Sequence, residues 1–183
     1  LQADSEQELQ RLVAGWSAAL KAHGMKLSID KTVVLAASVG DQKKLKVMVE
    51  GKQLEQVNSF KYLGGVVEER GTLDEEVKAR IRSAGANWRK VSGVVHDRRM
   101  PMKLKSRVYK TVVRPVLLYG TETWAAKAEH MRKLGTMEMK CLRRVVGCTL
   151  WDRRRNEEIR AEAKVAPISE KVKESRLRWF GHV

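Results

Sequence analysis

Phe60-Lys61-Tyr62-Leu63-Gly64-Gly65-Val66-Val67, followed by Gly71-Thr72-Leu73-Asp74-Glu75, is the stretch on which the fold turns. Phe60 and Tyr62 fall on one face of a strand, and Gly64-Gly65 interrupts that strand as a hairpin turn or a bulge. From Thr72 the period changes. Thr72 and Glu75 form a capping-box pattern, and Val77, Ile81, Ala84, Trp88, Val91 and Val95 then recur every three or four residues. A change from sheet period to helix period divides the chain, with Gly71 at the division. The expected class is α+β. Residues 1–70 should form a small antiparallel β portion with one N-terminal helix, and residues 71–183 an all-α basic helical bundle.

Working upstream, Ser5 with Glu8 reads as a helix start, and Leu9, Leu12, Val13, Trp16 and Leu20 share a face, with Gly24 as the stop. A strand is expected near Thr32–Ala37, a turn at Gly40-Asp41, a half-buried strand through Leu45, Val47 and Val49, a turn at Gly51-Lys52, and a strand-like segment near Leu54–Val57. Working downstream, Pro101 suits the first turn of a helix whose face is Leu104, Val108, Tyr109 and Val112. Arg114-Pro115 should end or kink that helix. A helix from about Glu129 to Val146 turns Leu134, Met137, Cys141, Leu142 and Val145 inward and stops at Gly147. Two shorter helices, near Asn156–Lys164 and Ser169–Phe180, follow.

Charge is distributed unevenly. Residues 1–75 hold 10 Lys/Arg and 11 Asp/Glu, whereas residues 76–183 hold 27 Lys/Arg and 11 Asp/Glu. A folded half with a net charge of +16 points to a polyanion partner, and the recurrence of arginine clusters favours nucleic acid over a merely solvated surface. No apolar run is long enough to span a bilayer, no secretory leader is visible, and the chain opens on Leu1 rather than Met, so a fragment is expected. Cys141 and Cys148 have no companion pair for a zinc site and read as small core residues.

Several strings, in order, resemble the reverse transcriptase of non-LTR (LINE-type) retrotransposons. Gly24-Met25, Ser28 and Lys31-Thr32 look like palm motif D, with Ser28 where the family most often has Asn, and Phe60-Lys61-Tyr62-Leu63-Gly64 looks like motif E, the primer grip. Arg114-Pro115-Val116-Leu117-Leu118-Tyr119-Gly120 with Glu122-Thr123-Trp124 resembles the post-palm region. So do Cys141-Leu142-Arg143-Arg144, Arg155-Asn156-Glu157-Glu158-Ile159 and the ending from Arg176 to Val183. The resemblance implies that residues 1–70 are the end of a palm with its primer-grip hairpin, and that residues 71–183 are a thumb with its extension. It also implies an RNA template and a DNA primer as partners, together with the upstream fingers and palm of the same polyprotein. Two Mg ions would serve the full-length enzyme, held by aspartates expected just before Leu1 and farther upstream, with no metal ligand within 1–183. The fragment alone is therefore expected to be inactive.

On this resemblance Lys31 is the candidate catalytic residue, as a general acid to the leaving pyrophosphate; as a lysine ahead of a strand it is equally a phosphate contact or a surface residue. Lys61 and Gly64 are candidates for touching the nucleic-acid backbone, with Tyr62 and Leu63 expected to pack. In the basic half the candidates are Arg98, Arg99, Lys103, Lys105, Arg143, Arg144, Arg153, Arg154 and Arg155. Trp88 and Trp179 are expected in the core, and Trp151 as a base-stacking candidate. The expected setting is an intracellular ribonucleoprotein, nuclear or cytoplasmic, with no membrane. A non-catalytic nucleic-acid-binding remnant of a decayed element is the alternative.

Overall fold

The computed structural model describes residues 1–37 and 44–181. The chain is α+β and divides into two compact units, Leu1–Thr72 and Leu73–Val183. The expected turn at Gly40-Asp41 lies outside the described residues.

The first unit opens with α1 (Glu6–Ala22), whose Ser5 hydroxyl caps it by accepting the Glu8 N–H at 3.2 Å. A 3-10 turn over Ile29–Lys31 leads into β1 (Val33–Val34), shorter than the six-residue run expected. A hairpin of β2 (Met48–Val49) and β3 (Lys52–Gln53) follows, then β4 (Glu55–Gln56), and a second hairpin of β5 (Ser59–Tyr62) and β6 (Gly65–Glu68). The expected all-antiparallel arrangement is corrected in one place: β1 and β4 run parallel, Val33 opposite Glu55. The intervening chain, which includes the β2–β3 hairpin, serves as the crossover that a parallel pair needs. Val47 and Val49 are buried while Lys46 and Met48 are exposed, the alternation expected of a strand with one wet face. Gln10 of α1 supplies the missing ladder for Met48, accepting its N–H at 2.7 Å and donating to its C=O at 2.9 Å. The core here is small: Val13, Val34, Val47, Val49 and Leu54. Trp16, expected inward, is 52% exposed. Periodicity places it beside Val13's face, but the described residues of the unit leave half of it uncovered.

The second unit is helical: α2 (Asp74–His96), α3 (Met102–Val108), α4 (Arg114–Leu118), α5 (Ala128–Val146), α6 (Asn156–Ala163) and α7 (Ile168–Phe180). The Thr72–Glu75 capping box does not form. The Thr72 hydroxyl donates to the Glu68 carboxylate at 2.5 Å and Glu75 turns to Lys78. Leu73 takes the N-cap position without a side-chain bond. Arg114-Pro115, expected to end or kink its helix, interrupts the α-ladder without ending the helix. A π-turn over Tyr109–Val113 widens the ladder just ahead of Pro115, removing the clash a proline would make with the carbonyl four residues back. Gly147, at φ +80°, closes α5 as expected, with the Cys148 N–H reaching the Arg143 carbonyl at 2.9 Å.

α5 lies at the centre of the unit, in contact with α2, α3, α6 and α7. Leu134, Met137, Cys141, Leu142 and Val145 are all buried, and burial pushes the Cys141 thiol up to about 12. Glu138 shares their stripe and is fully buried. Its carboxylate accepts from Tyr109 Oη (3.3 Å), Arg160 Nε (3.1 Å) and Nη2 (3.0 Å), and the Ile168 N–H (3.3 Å). One charge thus ties the π-turn, α6 and the start of α7 to α5, with its lone pairs satisfied. Leu104 and Trp179, expected inward, are 45% and 49% exposed; Ser106 is buried in α3 instead.

Candidate nucleic-acid interface

The second unit, Leu73–Val183, carries 27 Lys/Arg against 13 Asp/Glu, and the question is which cations its folding leaves available. Arg98 and Arg99 are exposed on the loop between α2 and α3, a loop shaped by the Asp97 carboxylate accepting the Arg99 N–H at 2.8 Å. Lys103 is exposed and Lys105 half-buried on α3.

The other clusters meet where α5 ends and α6 begins. Arg143 Nη2 donates to Asn156 Oδ1 at 2.8 Å, which draws Arg143 and Arg144 toward the segment carrying Arg153, Arg154 and Arg155. These five are not equivalent. Arg144, Arg153 and Arg155 are exposed, whereas Arg154 is committed to Glu162 at 2.6 Å. Arg143 is half-buried, and its Nε is buried without a hydrogen-bond partner. Between them, the Thr149 N–H and hydroxyl both donate to Asp152 and hold its carboxyl below the usual range. The turn so formed leaves Leu150 and Trp151 76% and 93% exposed. Arg132, Lys140 and Arg160 were not among the residues singled out from sequence. The signal was present: positions 132, 140 and 143 share the α5 face away from Leu134 and Cys141, with 144 at its edge.

In the first unit Lys31 is exposed at the end of the 3-10 turn, whose geometry is fixed by the Thr32 hydroxyl on the Ser28 carbonyl at 2.7 Å. Lys61 is exposed on β5 opposite Val66. The β5–β6 turn is Leu63-Gly64, not Gly64-Gly65, with φ +48° and +87°. Two positive φ values in a two-residue turn match the right-handed twist of a hairpin, at a steric cost for leucine. Tyr62 and Leu63, expected to pack, are 61% and 79% exposed. They sit at and beside the tip of the β5–β6 hairpin, Tyr62 with its ring edge against Phe60.

Among the described residues no group of three or more His, Cys, Asp or Glu side chains could hold a metal ion. No described helix is long and apolar enough to cross a membrane.

The chain is 28% identical over 166 residues to an uncharacterized transposon-derived protein of Caenorhabditis elegans, covering 87% of this chain and 59% of that protein. It is 25% identical over 135 residues to the RNA-directed DNA polymerase from mobile element jockey of Drosophila funebris, covering 73% and 14%. Its identity to the "Probable RNA-directed DNA polymerase from transposon X-element" of Drosophila melanogaster is 23% over 140 residues, covering 73% and 15%. Its homologues include a transposon-derived protein and RNA-directed DNA polymerases from mobile elements. The family resemblance read from the ordered strings is thereby borne out. This polymerase homologue spans about three-fifths of the nematode relative and about one-seventh of the two polymerases. No family model matches the chain, and no solved structure matches it.

Much of what the strings contribute to this homologue is packing. Leu117, Cys141, Leu142 and Ile159 are fully buried, and Trp124 nearly so. The string from Arg176 is different, since Leu177, Trp179 and Phe180 are exposed.

Proposed function

We propose that this chain is the C-terminal portion of a retrotransposon reverse transcriptase, and that it grips the RNA template–DNA primer duplex. In this reading residues 1–70 complete the palm and carry the primer-grip hairpin, and residues 71–183 are the thumb and its extension. The enzyme works in an intracellular ribonucleoprotein. The observation that carries the reading is a folded helical unit in which Arg98, Arg99, Lys103, Arg144, Arg153 and Arg155 are exposed, in a homologue of RNA-directed DNA polymerases. Such side chains neutralise phosphates and position a duplex without reading its sequence. Lys61 and Gly64 offer a backbone contact at the hairpin, and the exposed Tyr62 and Leu63 an apolar one. Two Mg ions would supply the chemistry of phosphoryl transfer, held by carboxylates of the larger enzyme. Within this chain Lys31 is proposed to place its ammonium on the departing pyrophosphate.

The test has two parts. The chain should bind an RNA–DNA duplex, and the paired substitution Arg98→Glu/Arg99→Glu should weaken binding at least about tenfold. In an enzyme that also contains the palm aspartates, Lys31→Ala should lower the rate of nucleotide addition more than it lowers duplex affinity. Duplex binding that ignores Arg98→Glu/Arg99→Glu would reject the thumb assignment.

A further inference from the structure

The exposed side of α5, the Cys148–Leu150 segment and the start of α7 enclose a groove of about 980 Å³. Met131, Met139, Cys148 and Ile168 form its apolar, adaptable floor, and the exposed Leu150 stands at its edge. Its rim is cationic: Arg132, Lys140, Arg143, Arg144 and Arg160 line it, and among the described residues no carboxylate does. Arg160 is committed to Glu138. Arg132, Lys140 and Arg144 are exposed, and among the described residues they make no ion pair.

Gly135 lies in the middle of this wall. A glycine inside a helix weakens it, and a close neighbour is the usual reason to keep one. Here a Cβ would meet nothing within 4 Å, so packing within the chain does not require the glycine. What its absent side chain provides is room in the groove. The lining residues of α5 run from Met131 to Arg144, at spacings of three and four, for roughly 20 Å along the helix axis. A helical wall of this length, an apolar floor, a gap for close backbone approach and a rim of one sign are features that seat an amphipathic helix.

We infer that this groove docks an acidic amphipathic helix of about 14 residues from a partner protein, apolar on one side and flanked by Asp/Glu. The groove lining contains no Phe, Tyr or Trp, so an unpaired strand would find no ring face within it, the exposed Trp151 lying next to Leu150 and outside the lining. Charge complementarity selects the sign of the partner, and the methionines let the floor adjust to its side chains. The inference stands apart from the duplex-binding reading, although Arg143 and Arg144 border both surfaces.

The experiment uses the chain with 13C-labelled methionine methyl groups and three probes. These are a helix-forming peptide of about 14 residues with Leu at i, i+3, i+4 and i+7 and Glu on both flanks, its Lys-for-Glu counterpart, and a single-stranded oligonucleotide. The Glu peptide should bind with Kd on the order of micromolar and shift the Met131 and Met139 signals. Gly135→Leu fills the groove while favouring the helix, so it should keep or raise Tm and weaken the Glu peptide at least about tenfold. Arg132→Glu/Lys140→Glu, at exposed sites, should exchange the preference to the Lys peptide. Equal binding of both peptides to the unsubstituted chain, a Glu peptide indifferent to both variants, or no peptide binding overturns the inference. So does an oligonucleotide that shifts the same methyl signals and is lost in Gly135→Leu, which would make the groove a nucleic-acid site.

Discussion

The two units solve the problem of burying apolar surface to different degrees. In Leu73–Val183, α5 is surrounded by four other helices, and the core runs from Val77 through Leu142 to Ile168. Among the described residues of Leu1–Thr72 the strands form three separate two-stranded pieces, and the buried core is five residues. Trp16, Met25, Val33, Met48, Tyr62 and Leu63 are exposed there. Two-stranded pieces are marginal alone, and such edges and apolar faces normally find a partner. The helical unit buries a continuous core, even though Leu104, Leu150, Trp151, Leu177, Trp179 and Phe180 stay exposed on it. The β-containing unit has far less core to pack against.

The comparison can be broken first at Glu138. Glu138→Ala should destabilise the helical unit by about 3–5 kcal/mol, because Arg160 keeps a half-buried charge and the Ile168 N–H loses its acceptor. A shift in urea midpoint worth less than about 1 kcal/mol would mean that α6 and α7 are not anchored there. Hydrogen exchange sharpens the contrast next: amides of α5 should be protected by at least about 2 kcal/mol more than those of β1–β4. Equal protection would show that the small unit is as self-sufficient as the large one.

A smaller effect is expected at the hairpin tip. Leu63→Asn places a residue tolerant of positive φ in the turn and should stabilise the first unit by about 1 kcal/mol. If it also weakens duplex binding, the leucine is kept for contact rather than for folding. The smallest effect is on acid stability. Asp74 is held below its ordinary range by Lys133, Glu75 by Lys78, Glu129 by Lys133 and Glu174 by Lys171, all in the helical unit; the first unit has Glu50 with Lys21. Lowered carboxyls stabilise the fold above their unfolded values and cease to do so as pH falls through the folded ones. The helical unit should therefore hold constant stability above pH about 5 and lose it modestly below about 4, more than the first unit does. Thermal melts across that window, read at Trp88, check the direction.

The helices were legible because periodicity and stop residues agree: α2, α5, α6 and α7 fall within a residue or two of their expected bounds, and Gly147 stops α5 as its sequence demands. Period shows which residues share a face, not whether another element covers it, hence the misplacement of Trp16, Leu104 and Trp179. Strand direction is a long-range choice, so β1 and β4 pairing in parallel left no local signal. The arginine clusters were visible as strings, but Arg154 is committed to a Glu eight residues on, which only the fold reveals. Glu138 was hidden for the opposite reason. A carboxylate on an apolar stripe reads as a misfit until its partners from the π-turn, α6 and α7 are seen together.

The most direct test of the central claim, that the basic helical unit grips a nucleic-acid duplex through phosphates, is the salt dependence of RNA–DNA duplex binding by the chain. With about six phosphates neutralised, log K should fall linearly with log salt at a slope near −5, and each of Arg98→Gln, Arg144→Gln and Arg155→Gln should reduce that slope by about one. A slope near zero, or one unchanged in all three variants, would contradict the account.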